Sequence, residues 1–205
     1  WRSRLTQVPV GDTAGCIDFC ETADRFITVD INVTELGRYV IHLIKIDKST
    51  GATIRLARGA QHLGLLAGNR DGTLVAISNH DVIEVWDADT GRAIREIPVG
   101  NWDEFFLRGR GPEGCVMAVL NDRQLAVAPC SGEYRRFSLE LSADPQPARE
   151  EWRHITLFDL NTGKKKGELK SHQDFVTSLT LSLDGKRLIS TSRDQTAIIW
   201  NLAEG

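Results

Sequence analysis

Several signals of other protein classes are scarce in this sequence. Its 205 residues contain no apolar run that approaches 18 residues, so we expect no membrane-spanning segment and no membrane partner. The four cysteines, Cys16, Cys20, Cys115 and Cys130, form no C-x-x-C pair, so we predict no metal site and interpret them as buried thiols of a cytoplasmic, intracellular protein. A net charge of −3 with mixed signs favours no nucleic-acid partner.

Residues that suit short strands and frequent turns are plentiful instead. With 18 glycines, six prolines and 41% apolar residues, the chain can bury one sizeable core between many turns, which predicts an all-β domain. The sequence begins Trp1-Arg2-Ser3-Arg4, without an initiator methionine or an apolar signal core, and we therefore expect a piece of a longer protein.

A short motif occurs four times along the chain. Each copy has an aromatic or apolar residue, then Asp or Asn, then a glycine four positions later. The copies are Ile46–Gly51, Trp86–Gly91, Phe158–Gly163 and Trp200–Gly205. Their glycines lie 40, 72 and 42 residues apart, close to the period of about 40 to 45 residues that four-stranded propeller blades show, except that the third interval carries about 30 more.

The fourth copy ends a run with three strand-like segments. Val176–Leu181 alternates in polarity, Asp184-Gly185 predicts a hairpin, and Leu188–Ser192 and Ala197–Asn201 predict two further strands. This run resembles a WD40 (WD-repeat) unit. The resemblance implies a β-propeller of four-stranded antiparallel blades, in which a histidine, a hydroxyl, an aspartate and a tryptophan hydrogen-bond together within one blade. In this sequence those residues are His172, Ser190, Asp194 and Trp200.

The other repeats match less completely. Repeat two keeps His62, Asp81 and Trp86, for which the resemblance implies the same polar network, although Asp81 precedes the tryptophan by five positions rather than six. Repeats one and three have Ile46 and Phe158 in place of the tryptophan, which removes the indole donor, so we expect those blades to depend mainly on apolar packing.

These patterns divide residues 1–205 into one propeller domain of about four WD40 repeats, which we expect to be part of a larger propeller. Repeat one covers 12–60, repeat two 61–100, repeat three 101–170 with an insertion at 131–153, and repeat four 171–205. Residues 1–11 resemble the outer strand of repeat two and could complete the last blade; otherwise further blades from the parent chain, or self-association, would cover the open strand edges.

Two motifs suggest chemistry that their context does not favour. Gly109–Gly114 fits the G-x-G-x-x-G pattern of dinucleotide sites, but an apolar, strand-like run follows it where a helix would be needed, so we predict no cofactor. The His172, Ser190 and Asp194 set also resembles a hydrolytic triad. Its hydroxyl would lie inside a blade without an oxyanion hole, so we favour a structural role.

Two loops of repeat three are long and rich in aromatic and arginine side chains: 101–114 before its first strand, and 131–153 between its second and third strands. Such residues are enriched at protein-binding hot spots, although simple packing under the loops and solvation of the arginines is the alternative. The candidate partner-binding residues are Trp102, Phe105, Arg108, Arg110, Tyr134, Arg135 and Arg136.

The sequence therefore predicts a non-enzymatic scaffold that presents a propeller face to a protein or peptide partner. One alternative is a regulatory or sensor segment of a larger signalling protein. A second is a propeller enzyme, such as a hydrolase or dehydrogenase, which would need carboxylates or histidines from several blades around the central channel, and the sequence shows no such repeated pattern.

Overall fold

The computed structural model describes residues 19–21, 25–33, 39–59, 66–79, 82–99, 114–121, 123–130 and 150–202. Over these residues the chain forms four antiparallel sheets, and a 3-10 helix at Glu150–Arg153 is the longest helical segment. The fold class predicted from the sequence, an all-β protein with blade-like four-stranded sheets, is confirmed.

Blades one and two each contain four strands that pair in chain order. Blade one consists of β1 (Phe19–Glu21), β2 (Arg25–Val33), β3 (Tyr39–Asp47) and β4 (Thr53–Gly59). Blade two consists of β5 (Leu66–Gly68), β6 (Leu74–Asn79), β7 (Val82–Asp87) and β8 (Arg92–Pro98).

Blade three is also four-stranded, whereas blade four has three strands among the described residues. Blade three consists of β9 (Gly114–Asn121), β10 (Gln124–Cys130), β11 (Ile155–Asp159) and β12 (Lys165–Leu169). Blade four consists of β13 (Val176–Leu181), β14 (Arg187–Ser192) and β15 (Ala197–Asn201). The predicted strands of repeat four are therefore confirmed, and the G-x-G-x-x-G motif leads into a strand, as expected. Residues 1–11, proposed as a completing strand, lie outside the described residues.

The first strands of successive blades are neighbours: β1 lies beside β5, β5 beside β9, and β9 beside β13. Because every blade is antiparallel, the connections from second to third strand and from fourth strand to the next blade all lie at one end, which we call the connection end. Two long connections begin and finish at this end. One joins β8 to β9 and contains residues 100–113, and the other joins β10 to β11 and contains residues 131–149.

The inner strands of blade three, β9 and β10, are buried on both faces. In β9, Met117 and Val119 pack against blade two, whereas the intervening Ala118 and Leu120 pack against blade four. The same alternation continues in β10, where Leu125 and Val127 pack against blade two, and Ala126 and Ala128 pack against blade four. Successive side chains of a strand point to opposite faces, so one apolar strand supplies two cores at once.

The repeated motif forms the turn between the third and fourth strands of blades one to three. In blade one, the Asp47 Oδ1 atom accepts hydrogen bonds from the backbone amides of Ser49 at 2.9 Å and Thr50 at 2.8 Å, and Gly51 N–H donates to the Asp47 carbonyl at 2.9 Å. Donation from the Ser49 hydroxyl and from Thr50 lowers the pKa of Asp47 to about 2. Gly51 has a φ of 70°, a left-handed conformation in which glycine carries no steric cost.

The same geometry recurs in the other two turns. The Asp87 Oδ1 atom accepts the amide of Thr90, and the Asp159 Oδ1 atom accepts the amide of Thr162, each at 2.8 Å. The closing glycines, Gly91 and Gly163, have φ values of 66° and 70°. The motif is repeated because each of these hairpins needs a carboxylate to cap its amides and a glycine to reverse the chain.

Alanine substitutions at three glycines can distinguish the cost of a left-handed backbone from the cost of a steric contact. Gly163 is left-handed, and a Cβ there would lie 3.2 Å from the Arg95 Cδ atom; Gly185 has a φ of 71° but open space around it; Gly167 lies in β12 with no positive φ and open space. We expect Gly163→Ala to lower the free energy of unfolding by about 2 kcal/mol and Gly185→Ala by about 1 kcal/mol. Gly167→Ala should stay within about 0.5 kcal/mol.

Urea unfolding followed by tryptophan fluorescence measures this series. Equal effects of Gly185→Ala and Gly167→Ala would show that the left-handed backbone is not the limiting constraint.

Candidate functional site

Four polar side chains from different parts of blade four meet inside it. His172 precedes β13, Ser190 lies in β14, Asp194 lies in the turn before β15, and Trp200 lies in β15. The His172 Nε2 atom lies 2.7 Å from Ser190 Oγ, the His172 Nδ1 atom lies 2.9 Å from Asp194 Oδ2, and the Trp200 Nε1 atom lies 2.9 Å from Ser190 Oγ. The structure thus brings together all four residues that the sequence grouped.

One arrangement of hydrogens satisfies this chain. The indole N–H of Trp200 can only donate, so Ser190 Oγ accepts a hydrogen bond from it. The Ser190 hydroxyl in turn donates a hydrogen bond to His172 Nε2. The proton of neutral His172 then lies on Nδ1 and is donated to Asp194. The network therefore runs in one direction, from indole to carboxylate, and fixes the histidine tautomer.

Asp194 also ties two loops of the connection end together. Its Oδ2 atom accepts the backbone amide of Gln173 at 2.7 Å, and its Oδ1 atom accepts the amide of Thr196 at 2.9 Å and the Thr196 hydroxyl at 2.5 Å. Burial raises the pKa of Asp194, but the Thr196 hydroxyl, the Gln173 amide and the His172 ring outweigh it and hold that pKa well below the ordinary value of 3.8. Asp194 is therefore a charged anchor for both loops.

The interior of the blade encloses the hydroxyl of this set. Ser190 is 0% exposed and His172 is 4% exposed, and the indole of Trp200 stands edge-on to the imidazole with ring centroids 6.4 Å apart. Ser190 Oγ already accepts the indole N–H, and no substrate carbonyl can reach it. The geometry suits a brace between strands rather than nucleophilic catalysis.

In blade two, the indole N–H of the tryptophan has a different acceptor. The Trp86 Nε1 atom donates to Glu84 Oε2 at 3.1 Å. Trp86 pairs with Val75 as Trp200 pairs with Leu188, so Ile77 occupies the register position of Ser190 and offers no hydroxyl. The acceptor has moved to Glu84, the residue opposite Ile77, and Glu84 is only 5% exposed.

Sequence reasoning did not select Glu84. The available signal was an acidic residue two positions before the tryptophan, combined with an apolar residue where blade four has a serine. His62 and Asp81, predicted to join this network, lie outside the described residues. In blade three, Phe158 takes the tryptophan position and is buried in the contact with blade two. The β10 residue at the register position of Ser190 is the apolar Val127.

The candidate partner-binding residues all lie outside the described part of the chain. They are Trp102, Phe105, Arg108, Arg110, Tyr134, Arg135 and Arg136. The predicted insertion, 131–153, includes a 3-10 helix at its end that the sequence did not indicate. Trp152 in this helix stacks on Phe175 of the His172 loop, with ring centroids 5.7 Å apart and an interplanar angle of 17°. This stack attaches the end of the insertion to blade four.

The inner strands of blades two to four border a groove of about 500 Å³. Its described lining comes from Leu66–Arg70, Val116–Val119 and Thr177–Leu183, which include apolar, hydroxyl and amide side chains and one arginine. No carboxylate or imidazole belongs to this lining. Within the described ranges, no three His, Cys, Asp or Glu side chains are placed to hold a metal ion. The same residues include no helix long and apolar enough to cross a bilayer.

Comparison with known proteins agrees with this geometry. The family model described as "WD domain, G-beta repeat" (WD40) matches residues 163–201. That segment is therefore a WD40 repeat, and it contains the whole of the blade-four network. No curated protein sequence matches the chain.

Among solved structures, a chain of hydrazine synthase from Kuenenia stuttgartiensis is similar, with a TM-score of 0.57 and 18% sequence identity. The match covers 95% of this chain and 48% of the other, so this chain spans about half the length of that one. At this identity the likeness shows a shared fold alone. Because 725 chains of solved structures match, the fold does not narrow the function.

Removing the Ser190 hydroxyl tests the brace. Ser190→Ala leaves the buried His172 ring and the Trp200 indole without their shared partner, so we expect the free energy of unfolding to fall by about 3 kcal/mol. Ser178→Ala, on an exposed position of β13, is the matched control and should change it by less than about 0.5 kcal/mol. Chemical denaturation measures both, and equal effects would contradict the brace.

The lowered pKa of Asp194 predicts a pH dependence of stability. Because the folded-state pKa lies below 3.8, the stabilisation from Asp194 is complete above about pH 5 and is lost as pH falls from about 4 through the folded-state value. The stability gap between the native protein and Asp194→Asn should therefore be largest at neutral pH and shrink below about pH 4. Urea unfolding at several pH values measures the gap, and a constant gap down to about pH 3 would contradict the assignment.

Proposed function

We propose that this chain is a non-enzymatic interaction module, a scaffold that presents the connection end of its blades to a protein or peptide partner. The WD40 repeat at 163–201 supports an interaction role in general terms. The observation that carries the proposal is the fixation of loops at this end by buried contacts. Asp194 joins the His172 loop to the β14–β15 turn, and Trp152 joins the insertion to Phe175.

Fixed loops favour binding because a pre-organised surface loses less conformational entropy when a partner docks. The two long connections around blade three begin and finish at this same end, at Pro98 and Gly114 and at Cys130 and Ile155. They carry the aromatic and arginine residues predicted to contact a partner. We place the partner site on these connections and the module in the cytoplasm, which imaging of a fluorescent fusion would check.

An enzyme on this scaffold receives less support from the described residues. The described lining of the groove along the inner strands contains no acid or histidine that could transfer a proton, and the hydroxyl of the His172, Ser190 and Asp194 set is already bonded to Trp200. Proton transfer and nucleophilic attack both need such groups within reach of a substrate.

Paired substitutions in the two long connections test the proposal. Trp102→Ala with Arg110→Ala, and Arg135→Ala with Arg136→Ala, should each reduce partner retention at least tenfold, because large aromatic and arginine contacts dominate interface energies. Lys164→Ala with Lys166→Ala is the matched control, since both lysines are exposed and follow the turn at the opposite end of blade three.

The measurement is cross-linking and quantitative mass spectrometry with the purified chain in extract of the cells that produce it. A partner retained equally by all variants would place the site elsewhere. If no protein is retained by the native chain, the scaffold proposal fails.

A further inference from the structure

We draw no further inference here: the strongest candidate, the outer edge of β15 in blade four with its exposed Ile199, has nothing in the described part of the chain to show what covers it, and completion of a blade by a fourth strand is a property that the WD40 resemblance already implies.

Discussion

The structure depends on the burial of one sheet between two others. Blade three has apolar side chains on both faces, so it can exclude water only when blades two and four cover it. Exposure of either face would lower stability by about 25 cal/mol for each Å² of apolar surface uncovered. The small residues Ala118, Ala126 and Ala128 let blade four approach closely with its larger Leu188 and Trp200. Blade three is thus stabilised mainly by its two neighbours, as repeats are in other repeat proteins.

A second constraint acts in the blades that have a tryptophan on their third strand, where the indole N–H needs an acceptor. Blade four meets it across the strands with Ser190, and blade two meets it along one strand with Glu84. Blade three avoids it with Phe158, which has no polar atom to satisfy. These are three arrangements at one register position, and none of them leaves an indole donor unpaired.

These constraints leave the connection end available for binding. Among the described residues there, the segment before β13 and the β14–β15 turn are held together by the Asp194 carboxylate, and the end of the insertion is held by the Trp152–Phe175 stack. The exposed residues there are consequently not needed for the core and can be chosen for recognition. The likeness to a chain of hydrazine synthase does not bear on this choice, because widely different functions share such scaffolds.

The sequence by itself determined the features of this protein that depend on hydrogen bonds between residues close together in the chain. An aspartate that caps amides two and three residues later, followed by a left-handed glycine, is complete within five residues, so the motif can be recognised in the sequence. The strands of blade four were also predicted correctly. The role of Glu84, the stack of Trp152 on Phe175 and the division of β9 between two cores were not predicted. Each depends on which residues of distant segments face one another. Strand register and blade packing decide that, and both arise only when the sheets assemble.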